Sequence, residues 1–343
     1  MSLEKLKVVQ VGCGGMSHAW LSTAIEIEGL EVVGMVDVFE EAAKTRAGEL
    51  GLTDALISTD LIRVLDETSP DIVFDCTTPT AHTDVTLTAL SHGCHVFGEK
   101  PLADSMENAQ RSVQAAKAAG KFYAVMQNRR YDWRIQRLKR LAHSGEIGKI
   151  TTLHSDFLLG AHFGGFRDHM EHVLLLDMAI HTFDAARFLL GADPVSVWAK
   201  EWNPAGSWYD HDASAVAYFQ MSNGIVYTYR GSWCAEGLNT TWESDWRLLG
   251  SSGSIKWDGG NQVSGEKVVA QNAFISRLAP LIIPERSEVD KDGGHNGLIK
   301  DFIDCVRTGR TPETSASDNI KSLAMVFGAI ESSETGKVVE INI

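Results

Sequence analysis

Three charged side chains stand where the sequence is otherwise apolar. Lys100 follows Val96-Phe97-Gly98-Glu99 and precedes Pro101. Val96 and Phe97 read as a buried strand. Pro101 carries no amide N–H and restricts the residue before it to an extended backbone, so the strand ends at Lys100. A cation there is pinned at an edge. In open parallel sheets, ligands bind beyond the carboxyl ends of the strands. Lys100 is therefore either a group for chemistry or a solvated charge closing a strand. Asp177 and His181 pose the same question. They lie in Leu174-Leu175-Leu176-Asp177-Met178-Ala179-Ile180-His181, whose apolar periodicity predicts a core-facing helix. Four residues apart, they share one face of it. A carboxylate and an imidazole in such a helix serve either acid–base chemistry or a satisfied internal hydrogen bond.

The elements that must hold these groups begin with a strand over residues 8–11. It runs into Gly12-Cys13-Gly14-Gly15-Met16-Ser17, and a helix over residues 18–27 follows. This is the context of a dinucleotide-binding turn. Gly12 permits the tight turn, Gly14 lets the backbone approach a pyrophosphate, and Gly15 and Met16 open the helix. Ser17 stands where the fingerprint has a third glycine, and a small residue still permits close helix–strand packing. Asp37 ends the second strand, at the position where a carboxylate accepts hydrogen bonds from the adenosine ribose and repels a 2′-phosphate. No arginine directly follows it. The pattern predicts NAD rather than NADP; the alternative is a glycine turn in another doubly wound protein. Thr77, Thr78 and His82 follow the strand 71–76, placed either for ribose and phosphate contacts or for helix capping.

Strands and helices alternate through the first third, which implies a parallel sheet with right-handed crossovers. After a helix near residues 133–143 the pattern changes to long alternating strands. Residues 213–221 and 225–233 flank Ser222-Asn223-Gly224, and residues 242–249 and 254–257 flank Gly250-Ser251-Ser252-Gly253, both strong turn signals. The expected fold class is α/β: a Rossmann doubly wound sheet over residues 1–126, then an α+β domain with an open, mostly antiparallel sheet over 127–343. Residues 267–292 are the least regular and are expected as a loop. Tryptophans 202, 208, 233, 242, 246 and 257 cluster in the second domain, as a buried sheet face, an interface or a stacking surface.

The Gly12 turn, Glu99-Lys100-Pro101, Asp177-x-x-x-His181 and the stretch 296–343 together resemble the Gfo/Idh/MocA oxidoreductases over nearly the whole chain. The resemblance implies a nicotinamide cofactor and a sugar, polyol, inositol or sugar-acid hydroxyl as substrate. It implies His181 as the base for the hydroxyl proton, Lys100 as the group holding the reacting oxygen, and Asp177 orienting substrate or imidazole. By the same resemblance Glu99, Gln127 and Asn128 position the nicotinamide end, and the second domain's sheet forms dimers or tetramers. The chain departs from the family just before the Asp177 helix. Family members often carry a glycine-rich run there, whereas this chain has Glu171-His172-Val173 after Arg167-Asp168-His169. The charged lining suggests a different pocket. Arg167 either clamps an anionic substrate or makes a surface ion pair, and His172 and Trp208 are further substrate-contact candidates.

Composition narrows the rest. The chain has 343 residues, 44% apolar, with a net charge of −14 from 31 basic and 45 acidic residues. There is no basic footprint for nucleic acid and no apolar run to span a bilayer. Five scattered cysteines without a Cys-x-x-Cys, and a start that leaves no room for a leader, point to the cytoplasm. Three readings stay open beside a dehydrogenase. His162, His169, His172 and His181 with Asp177 could hold a metal in an isomerase or hydrolase. The fold could serve as a nucleotide-responsive sensor. Transient oxidation could drive elimination or glycoside cleavage with no net redox change.

Overall fold

The computed structural model describes residues 5–271 and 274–343. Met1 to Glu4, where no leader is expected, lie outside the described residues. The chain forms two compact units, Met1–Asn128 with Asp292–Ile320, and Arg129–Lys291 with Lys321–Ile343.

In the first unit β1 (Leu6–Val11), α1 (Gly15–Ala24), β2 (Leu30–Val36), α2 (Glu40–Leu50), β3 (Leu56–Ser58), α3 (Leu61–Thr68), β4 (Ile72–Asp75), α4 (Pro79–Ser91), β5 (His95–Gly98), α5 (Met106–Ala119) and β6 (Tyr123–Val125) alternate. The strands form one parallel sheet in the order β3-β2-β1-β4-β5-β6, the doubly wound arrangement. Helices on both faces bury it, so β4 is buried at every position. Register then sets the site. Val11 lies opposite Val36 and Asp75, Asp75 opposite Gly98, and Gly98 opposite Val125. The residues that follow, Gly12, Asp37, Cys76, Glu99 and Met126, therefore leave the sheet along a single edge.

The second unit contains α6 (Trp133–Ala142), β7 (Ile150–Leu158), α7 (Ile180–Leu190), β8 (Pro194–Trp202), β9 (Ser214–Met221), β10 (Val226–Ser232), β11 (Asp245–Gly250), β12 (Gly253–Trp257), β13 (Val263–Ala270), β14 (Arg277–Pro280) and β15 (Val339–Glu340). They form a sheet in the order β14-β13-β12-β11-β7-β10-β9-β8-β15, antiparallel except for the parallel β7–β10 pair. Alternate residues of β9 are buried. On the covered face Phe183 of α7 packs edge-on against Phe219 and Tyr229, with ring centroids 4.9 and 5.1 Å apart. Trp233, Trp246 and Trp257 are buried, so half of the tryptophan cluster is core. The segment 267–292, expected as a loop, instead supplies the end of β13 and all of β14. A largely exposed run ending in Pro280 suits an edge strand, where a missing N–H costs no ladder bond.

The division of the chain differs from the expected break at residue 126. α8 (Gly294–Thr308) packs in the first unit, and α9 (Ala316–Thr335) follows. Phe302 stacks on Phe97 at 4.7 Å, and Val125 N donates to Thr314 O at 3.0 Å. The apolar face of α8 is what the first sheet needs to cover β5.

Candidate active site

The glycine turn is built as its sequence requires. Gly12 has φ +80°, and a Cβ there would lie 2.6 Å from the Cys76 carbonyl carbon and oxygen and 2.8 Å from Thr77 N. No side chain fits between the two strand ends. Cβ atoms on Gly14 or Gly15 would meet nothing within 4 Å, so the space outside the turn is open. Helix α1 starts there without a side-chain cap and without an acid in its first turn, leaving backbone N–H groups and the positive end of the dipole for an anion. Asp37 stands beside the turn: Oδ2 accepts from Cys13 N at 2.7 Å and Oδ1 from Phe39 N at 2.9 Å. Burial, with Asp37 adding to it, pushes the Cys13 thiol up to about 12, so it stays protonated. Ser17 is fully buried, and its hydroxyl donates to Gly14 O at 2.7 Å. These residues fit a dinucleotide.

Arg46, on α2, was not expected at the turn. Its Nη2 donates to Gly14 O and its Nε to Ser17 Oγ, both at 3.1 Å, while Nη1 pairs with Glu49. No spacing signal marks it, because α2 brings it back from nine residues beyond Asp37. His82 is buried, with Nδ1 2.9 Å from Asp75 Oδ2. Thr77 donates to Asp75 Oδ1 through both its N–H (3.0 Å) and its hydroxyl (2.6 Å). The Asp75–His82 pair thus braces the Thr77 turn from within. Thr78 is the residue before α4, with Pro79 at its first position, and no side-chain cap forms.

Glu99 is buried at the next strand end. Trp20 Nε1 donates to its Oε1 at 2.8 Å, and Lys100 N to its Oε2 at 3.2 Å. Trp20 itself is wedged between Phe74 and Phe97 at 5.1 and 4.6 Å. The lysine backbone is therefore tied to α1 and the core. The Lys100–Pro101 bond is cis. Met126 N donates to Gly98 O at 2.9 Å, which carries Gln127 and Asn128 out beside Glu99. Gln127 is buried, and among the described residues neither of its side-chain amide atoms has a hydrogen-bond partner. A buried amide costs free energy until it is paired, so it suits a ligand group.

In the second unit Leu174–Ala179 forms a π turn that leads directly into α7. The expected plain helix is thus widened at the turn that carries Asp177, and π turns of this kind concentrate at functional sites. Arg167 Nε donates to Asp177 Oδ2 at 2.7 Å and Nη2 to Oδ1 at 3.5 Å. The guanidinium lies over the rings of Phe163 and Phe166, at 4.9 and 4.8 Å. His172 has φ +51°, and its Nδ1 is 2.7 Å from Glu201 Oε2. Trp208 donates Nε1 to Ala161 O at 2.9 Å and stacks on His162 at 3.7 Å. His162 pairs with Glu236 and His169 with Asp210. His162, His169 and His172, three of the histidines weighed as metal ligands, are thus dispersed onto separate carboxylates. No group of three ligand-type side chains gathers among the described residues.

A Rossmann unit with a dinucleotide turn, followed by an open antiparallel sheet, defines a class of two-unit nicotinamide oxidoreductases. The chain belongs to the Gfo/Idh/MocA oxidoreductase family. Residues 6–127 match its NAD-binding Rossmann fold, and residues 135–256 match its C-terminal domain. It is 27% identical to the scyllo-inositol 2-dehydrogenase (NAD(+)) of Bacillus subtilis strain 168, over 98% of this chain and 96% of that one. It is 25% identical to the D-apiose dehydrogenase of Rhizobium rhizogenes strain K84, over 99% of both. In structure it resembles an oxidoreductase from Agrobacterium radiobacter solved with NAD+, L-tartaric acid and magnesium. The TM-score is 0.85, with 21% identity and 98% of each chain covered. NAD is the cofactor of the first unit.

Proposed function

We propose that this NAD-binding oxidoreductase is a dehydrogenase of a sugar, polyol, inositol or sugar-acid hydroxyl. The observation that carries the reading is the shared strand edge of the first unit. Its register sets the glycine turn, Asp37, Thr77 and Glu99-Lys100 side by side. Relatives named as inositol and apiose dehydrogenases support the substrate class. Bound NAD supplies the hydride acceptor. His181 takes the hydroxyl proton as the C–H bond breaks, and Lys100 donates a hydrogen bond to the reacting oxygen as negative charge grows on it. Asp177, held by Arg167, orients the substrate hydroxyls or the imidazole. Arg167, His172 and Trp208 belong to the same reading as substrate contacts, and Gln127 and Asn128 as nicotinamide contacts. NAD is preferred over NADP, the chain works in the cytoplasm, and the second unit's sheet joins copies.

A screen of sugars, polyols, inositols and sugar acids for NADH formation tests the class. With the substrate in hand, Lys100→Ala and His181→Ala should each lose about a hundredfold or more in turnover, the scale of electrostatic and acid–base groups, while NAD still binds. Undiminished turnover in both variants overturns the residue assignment.

A further inference from the structure

His295 opens α8, directly before the stretch 296–343 and far in sequence from the glycine turn, Lys100 and Asp177. Gly293 and Gly294, both at positive φ (89° and 54°), turn the chain into the helix. The next residue, Asn296, accepts from Thr23 Oγ1 at 2.8 Å, so the start of α8 is tied to α1. His295 Nδ1 lies 3.3 Å from Asn128 Nδ2. An amide nitrogen only donates, so Nδ1 is the acceptor and the ring proton sits on Nε2. The ring is then a neutral imidazole. Burial chiefly, and the Lys100 cation with it, hold its pKa below the ordinary imidazole range, against the opposing pull of Glu99. It adds no second positive charge beside Lys100. Because Nδ2 of Asn128 points at the ring, its carbonyl oxygen is turned the other way as an acceptor.

We propose that His295 is a positioning residue of the oxidoreductase site: it locks the Asn128 amide, beside Glu99 and Lys100, in the orientation that receives the nicotinamide carboxamide. This rests on the dehydrogenase reading above for its effect on turnover, and on geometry alone for the contact. His295→Leu keeps the bulk and removes the acceptor. It should lower kcat about tenfold while the NADH dissociation constant stays within about threefold, the signature of lost alignment rather than lost binding. The melting temperature should be unchanged. His295→Asn, which returns an acceptor near the place of Nδ1, should recover most of kcat. Nitrogen NMR of histidine-labelled protein reads the contact without turnover. The His295 signal should be that of a neutral Nε2–H ring at pH 7 and should move in Asn128→Ala.

An unchanged kcat in His295→Leu, a loss that follows the melting temperature, or no recovery in His295→Asn overturns the proposal. So does a charged or Nδ1–H ring. If the wild-type protein oxidises no hydroxylated compound, the dehydrogenase reading fails, and the NMR outcome still decides the contact.

Discussion

At the residue scale, cofactor choice comes down to Asp37 and Arg46. Asp37 is oriented by two backbone N–H groups at the edge of the glycine turn. A 2′-phosphate brought there meets a fixed carboxylate. The nearest help, Arg46, has its guanidinium engaged by Glu49, Ser17 and the Gly14 carbonyl. We therefore expect kcat/KM with NAD to exceed that with NADP by about tenfold or more, and Asp37→Ser to close most of that gap. Comparable efficiencies in the wild-type protein would sink the claim. Gly12, Asp37, Lys100 and Asp177 were legible because each sits in a short local pattern whose reason is steric or electrostatic. Arg46 and His295 were not. Both reach the turn and the lysine from other helices, and nothing in their own neighbourhood announces it.

At the scale of elements, the turn before α7 carries the testable electrostatics. His172 holds a positive φ in front of the π turn and is clamped to Glu201, a buried carboxylate on β8. The hydrogen bond His172 donates to Glu201 raises the His172 pKa above its usual value of 6.5. Burial raises that of Glu201 above 4.5, and His172 pulls against this. Both folded-state values are raised, so the folded protein holds more protons than the unfolded chain. The contribution of Glu201 is full only below its ordinary value and is lost as pH rises through its raised one; that of His172 is full below the ordinary imidazole value and is lost as pH rises through its own raised value. Melting temperature should therefore fall from pH 6.5 upward, and Glu201→Gln should flatten that slope. An identical slope in the variant removes the pair from the account. The hairpins around Ser222-Asn223-Gly224 and Gly250 to Gly253 were readable because turn chemistry is local. The π turn was not, since a change from i→i+4 to i→i+5 hydrogen bonds leaves the apolar spacing almost intact. β14 was hidden because an exposed edge strand has no buried face to impose a period.

At the scale of the whole molecule, one face of the second unit's sheet is largely exposed. Trp198, Tyr218, Thr228, His154, Arg247 and Lys256 lie opposite one another in a row across six strands. Trp198 and Tyr218 are 40% and 46% exposed, large rings presented on a flat surface. Such a surface suits a second copy of itself. Light scattering should find a dimer or tetramer, and the double variant Trp198→Glu with Tyr218→Glu should shift the mass to the monomer. A wild-type monomer at micromolar concentration refutes the assignment. The route of the chain has a further consequence, for the order in which the protein is made. Phe302 and the rest of α8 emerge from the ribosome only after all of Arg129–Lys291. Until then Phe97 lacks the ring that stacks on it, and the nascent first unit carries an unfinished apolar surface. Chaperones and aggregation compete for that surface throughout synthesis of the second sheet.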